Sequence, residues 1–142
     1  GTIKLQPLDG GEPAPWANGE LPDSIKRAGG ATWRWDVDGD SLGKPHLLVG
    51  LARAGARLWV DGEVIVDCPA GVPYVPAPHR CAPAARAVFR PKQARHLMRV
   101  ELHSRGVSQE ASVILAAGNL HLKSWAASPL PHMPKLPSRW GD

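Results

Sequence analysis

ARLWVDGEVIVD, residues 56–67, is the stretch that decides the fold. Two runs rich in apolar and β-branched residues flank Asp61-Gly62, a dipeptide that readily takes the positive φ angles of a type I′ turn. The spacing predicts a hairpin with a two-residue turn. Its register sets Val60 against Glu63, Trp59 against Val64, Leu58 against Ile65 and Arg57 against Val66. On that register Trp59 shares a face with Val64 and Val66, while Leu58 and Ile65 take the other.

The same reading extends in both directions. In ATWRWDV, residues 31–37, Trp33, Trp35 and Val37 alternate with Arg34 and Asp36, the period of two of a half-buried strand with its indoles toward the core. HLLVGLA, residues 46–52, is a continuous apolar run that suits a strand buried on both faces. Beyond the hairpin, residues 68–85 carry too many prolines for a central strand, because each removes a ladder donor. Pattern resumes with ARAVF and with HLMRVELH, where Met98, Val100 and Leu102 face one way and Arg99, Glu101 and His103 the other. ASVILAA, residues 111–117, and NLHLKSW, residues 119–125, are expected to form a second hairpin across Gly118.

Thr2–Leu5 is a short candidate strand, residues 6–30 read as irregular, and the proline-rich tail 129–142 reads as a strap or linker. Fifteen prolines and fifteen glycines oppose long helices. Eight or nine short strands with no convincing helix give an all-β chain, a single antiparallel β-sandwich spanning residues 1–142. That length suits one core. No run approaches the length of a spanning helix, so the chain is not expected to be membrane-embedded. A basic region followed by an apolar one is missing at the amino end, which fits an export signal already removed or a piece of something longer.

With these strands in place, GARLWVDGEVIVD (Gly55 to Asp67) and the later RHLMRVELHS (residues 95–104) resemble the PA14 domain, a β-sandwich carried by secreted glycosidases, adhesins and toxins. The resemblance runs from Trp33 to Leu115. It implies a sandwich fold, jelly-roll-like or PA14-like, and a binding rather than a catalytic role. LWVDG hairpins also occur in jelly-roll and laminin-like sandwiches, which share the architecture. Calcium-dependent lectins of the family carry paired aspartates just before the hairpin. Here Arg53-Ala54-Gly55 stands in that place, so the resemblance does not imply a calcium-bridged sugar site.

Cys68 and Cys81, the only two cysteines, bracket a proline-rich loop and lack zinc-ligand spacing. A disulfide between them is expected, contributing about 3 kcal/mol on the chain-entropy model. It would place the protein in an extracellular or periplasmic, cell-envelope setting. Two buried free thiols are the alternative.

The net charge is +4, and the densest basic stretch holds Arg80, Arg86, Arg90, Lys92, Arg95 and Arg99. It reads first as a solvated face and second as a contact for an anionic partner such as an acidic polysaccharide, a phospholipid surface or nucleic acid. No aromatic residues interleave it as a stacking module, so nucleic acid is not an expected partner.

Candidate chemistry is sparse. Asp36 to Asp40 superficially resembles a calcium loop, but an EF-hand needs glycine at its sixth place and an acid at its twelfth, where Ser41 and Leu47 stand. The segment reads as a turn, and no metal or cofactor is expected. His96 and His103 have opposite parity on one strand and no other histidine pair is spaced to share an ion. A GxSxG elbow is absent. The chain is therefore expected not to be an enzyme.

The leading reading is a non-catalytic carbohydrate-binding module of a secreted or cell-envelope protein. Six tryptophans carry it, since sugar rings stack on indoles while polar side chains take the hydroxyls. The expected ligand-binding residues are Trp16, from a proline- and glycine-rich loop, Trp59 and Asp61 at the hairpin tip, and Trp125. The runner-up is a structural or interaction domain of a larger envelope protein, such as a membrane glycosyltransferase, contacting that protein's other domains.

Overall fold

A computed structural model describes residues 2–117. Ten strands among them form two antiparallel sheets packed as a sandwich. The six-stranded sheet runs β2 (Ala14–Trp16), β1 (Ile3–Pro7), β4 (Gly30–Asp36), β9 (Arg95–Leu102), β6 (Ala56–Val60), β7 (Glu63–Cys68). The four-stranded sheet runs β3 (Gly19–Glu20), β10 (Ala111–Ala117), β5 (His46–Ala52), β8 (Arg86–Phe89). The expected second hairpin of β10 with residues 119–125, and the tail, lie outside the described residues.

Period-two patterning sorts the side chains as read. Trp33 and Trp35 on β4 are buried, with Arg34 and Asp36 exposed. On β9, His96, Met98, Val100 and Leu102 point inward. Every residue of β5 is buried, in keeping with its place between β10 and β8 and against the facing sheet. Leu47, Leu48, Val49 and Leu51 of β5 join Leu58, Met98 and Val100 of the other sheet in one core, the apolar burial that drives the sheets together.

Asp61 (φ 50°) and Gly62 (φ 84°) turn the β6–β7 hairpin as the sequence predicts. Its register departs one pair further in. Val60 faces Glu63 and Trp59 faces Val64, but a bulge then shifts the ladder, so that Leu58 faces Val66 and Arg57 faces Asp67. Unbroken alternation had paired Leu58 with Ile65. The extra residue at the bulge lets Val66 enter the core opposite Leu58 while Val64 stays outside with Trp59.

The segment 6–30 is more ordered than its composition suggests. β2 and β3 form there, and a six-residue helix, α1 (Asp23–Ala28), follows Pro22 and ends at Gly29 in the left-handed conformation. Buried Ile25 and Ala28 supply its core contacts, and the bracketing proline and glycine are the boundary signals. Tertiary packing sustains a helix too short to stand alone.

Trp16 is the largest consequence of this ordering. Expected in an irregular loop, it ends β2 opposite Ile3, is 4% exposed, donates its indole N–H to the Gly19 carbonyl at 3.3 Å, and meets Trp33 edge-on at 5.4 Å. It is a core residue.

No disulfide joins Cys68 and Cys81 in the structure. Both are buried within the core, where Cys68 Sγ donates to the Pro69 carbonyl and Cys81 Sγ to that of Pro78. Burial raises the Cys81 pKa, opposed by Arg86, and keeps the thiol protonated. Each behaves as a small apolar core group with a local acceptor.

Two comparisons test this packing. Trp33→Ala and Trp16→Ala should each lower unfolding stability by about 3–5 kcal/mol in urea titration. Gly30→Ala should cost more than Gly62→Ala. Both glycines have positive φ, but a Cβ at Gly30 would lie 2.0 Å from the Val100 carbonyl oxygen, whereas at Gly62 it meets nothing within 4 Å.

Candidate functional site

Among the described residues, the sequence-expected ligand residue that remains available, Trp59, lies on the outer face of the six-stranded sheet. β6 pairs with β9 and β9 with β4, so register builds rows across this face: Thr32, Arg99, Trp59 and Val64 in one, Arg34 and Leu97 in the next. A solvent-facing sheet ordinarily presents polar side chains here. Instead Leu97 is 67% exposed and Val64 41% exposed, beside a half-buried Trp59. Thr32, Trp59, Gly62, Leu97, Met98 and Arg99 line a groove of about 340 Å³, near the lower end of the roughly 300–1,000 Å³ of small-molecule sites.

Asp61, expected to bind ligand, is spent on structure. Its backbone N–H donates to the Leu97 carbonyl at 2.8 Å, and its Oδ1 accepts from the Leu97 N–H at 2.8 Å. The side chain thus continues the β6–β9 ladder past Val60. Its other oxygen, Oδ2, accepts from buried His96 Nδ1 at 2.5 Å and from Gln93 at 3.4 Å. Partial burial raises the Asp61 pKa. The hydrogen bonds from His96 and the Leu97 amide, with the imidazole's charge, outweigh that and hold it below the ordinary aspartate value. Trp125 lies outside the described residues.

The basic stretch does not form one patch. Arg86 is half-buried on β8, and Arg90 donates to the Gly43 carbonyl, both away from the groove. Arg95 and Arg99 share the outer face with Arg34, which sequence proximity could not have grouped with them. Asp36 serves both Arg34 (3.4 Å) and Arg95 (3.3 Å), while Glu101 lies 3.4 Å from Arg99. Asp36 closes β4 with its carboxylate turned to these arginines. Among the described residues no three His, Cys, Asp or Glu side chains gather closely enough to hold a metal.

A second polar cluster joins three elements on the opposite side of the core. Tyr74 donates to Glu20 and contacts Ser112, Ser112 Oγ donates to Glu20 at 3.2 Å, and Lys26 of α1 pairs with the same carboxylate. Burial and the Glu20 bond push the Tyr74 pKa up to about 12. For Glu20, burial raises the pKa, but the bonds from Lys26, Tyr74 and Ser112 leave it below the ordinary value. Serine, tyrosine and lysine are residue types a nucleophilic centre uses. Here they satisfy one carboxylate, and the cluster pins the proline-rich loop and α1 to β10.

No protein-family model, curated protein or solved structure matches the chain.

Asp61 and Glu20 have depressed pKa values, so the stability they contribute is complete above the ordinary carboxyl range and is lost as pH falls through their folded values. Melting temperature followed from about pH 6 to about pH 2 should therefore drop below roughly pH 4. Asp61→Asn should melt lower at the upper end and lose less on acidification, because its charge-assisted bond to His96 is already gone.

Proposed function

We propose that this domain is a carbohydrate-binding module, non-catalytic, of a secreted or cell-envelope protein, and that it takes sugar on the outer face of its six-stranded sheet. One observation carries the reading: Trp59 lines an open groove beside strongly exposed Leu97 on a face where polar residues are the rule. Sugar rings have apolar faces that stack on indole, and adjoining Thr32 and Arg99 offer partners for hydroxyls. The hairpin bearing Trp59 is also the stretch that resembles the PA14 domain, whose occurrence in secreted proteins agrees with this setting. Of the ligand residues expected from sequence, Trp59 is retained, Asp61 becomes its support, and Thr32, Leu97 and Arg99 are added.

A second reading rests on Val64, which extends the apolar surface past the groove toward the sheet edge at β7. A broad exposed patch suits a protein partner, as an interaction domain of a larger envelope protein such as a membrane glycosyltransferase requires. Binding to a glycan array separates the two. Trp59→Ala should weaken the sugars that bind by at least about tenfold, the scale of a central aromatic contact. Leu97→Ser, at an exposed position that leaves the core intact, should weaken them severalfold with an unchanged melt. Array binding indifferent to both substitutions would exclude this face as the sugar site.

A further inference from the structure

We propose that the groove beside Trp59 takes an acidic sugar, a uronate unit of a polysaccharide, with its ring on Trp59 and Leu97 and its carboxylate on Arg99. This rests on the sugar-binding reading of the face and adds the charge of the ligand. Arg99 lines the groove and lies directly across from Trp59 in the β6–β9 register and from Thr32 in the β4–β9 register. Its side chain is 46% exposed, and among the described residues its single carboxylate contact is to Glu101 at 3.4 Å. An exposed pair that long is weak. A guanidinium has five N–H donors in a planar fork, so Arg99 keeps the geometry to grip a second carboxylate with two parallel bonds.

The surroundings favour that charge. On the β4–β9 part of the face, three cations, Arg34, Arg95 and Arg99, meet two carboxylates, Asp36 and Glu101, and Asp36 is divided between two arginines. The surplus is one positive charge. The other carboxylate near the groove, Asp61, points away into His96 and the Leu97 amide. Arg34 stands opposite Leu97, one row from Arg99, and diagonal neighbours on adjacent strands are roughly 7–8 Å apart. A polyuronate carries a carboxylate on every ring, so one chain laid over Trp59 and Leu97 meets Arg99 with one unit and Arg34 with another. A neutral glucan gains the stacking and leaves both arginines unused.

Calorimetric titration of the protein with tetragalacturonate and with tetramannuronate, each beside its fully methyl-esterified form, isolates the charge on an unchanged sugar backbone. Maltotetraose and cellotetraose serve as neutral controls. For at least one uronate the acid should bind about tenfold more tightly than its ester, and added salt should narrow that gap. Arg99→Gln, at an exposed position, should melt as wild type does and bring acid and ester within about twofold of each other, chiefly by weakening the acid. Acid and ester binding equally, or discrimination surviving in Arg99→Gln, would overturn the acidic-sugar assignment while leaving the sugar site standing. Binding by none of the acids, esters or neutral controls would overturn the sugar-binding reading itself.

Discussion

The Asp61 carboxylate is the constraint on which the outer face depends. A two-residue turn leaves the hairpin tip with no ladder partner of its own, and Asp61 supplies one by accepting the Leu97 N–H while its backbone donates to the Leu97 carbonyl. Side chain and main chain together extend the pairing of β6 with β9 to the end of the turn. His96 secures the same carboxylate from inside, its ring lying 5.7 Å from that of Trp35 and 5.2 Å from that of Phe89. The turn, the groove-lining strand and the aromatic core are thereby tied through one residue. Trp59 and Leu97 hold their relative positions because of it.

Backbone irregularity does the rest of the sorting. With strict alternation, Val64 and Val66 would share a face, and one of them would be misplaced. The bulge after Trp59 and Val64 sends Val66 inward against Leu58 and leaves Val64 beside Trp59. A single extra residue in β7 thus fills the core and broadens the apolar platform at once, which is the usual effect of a bulge on side-chain direction.

The sheet architecture was legible wherever a strand carried its own pattern. ATWRWDV, HLLVGLA and HLMRVELH each announce their buried side through neighbours within the strand, and Asp61-Gly62 announces the turn. Trp16 was not legible, because a three-residue strand containing Pro15 has too little length for a period, and burial came from pairing with β1. α1 was hidden for the same reason. The candidate site was half legible: Trp59 stood out by type, whereas Leu97 needed its parity on β9 read against Met98 and Val100, and Arg34 needed knowledge that β4 lies beside β9. Asp61 was noticed for its carboxylate, but its partners His96 and the Leu97 amide were not legible, because they lie on a strand far along the chain. For the cysteines the sequence offered both a bond and two buried thiols, and their burial is what the fold adds.

Asn18 has a consequence of another kind. Held at φ 95°, it turns its side-chain amide toward β10, accepting the Leu115 N–H at 3.0 Å and donating to the Leu115 carbonyl at 3.2 Å. β3 pairs with β10 only at Ser112 and Val113, so at Leu115 the amide stands where the next peptide group of a neighbouring strand would be. An open strand flank is a template onto which another molecule can add. By filling both hydrogen-bonding positions with a side chain, Asn18 closes Leu115 to such addition and guards this stretch of β10 against edge-to-edge self-association.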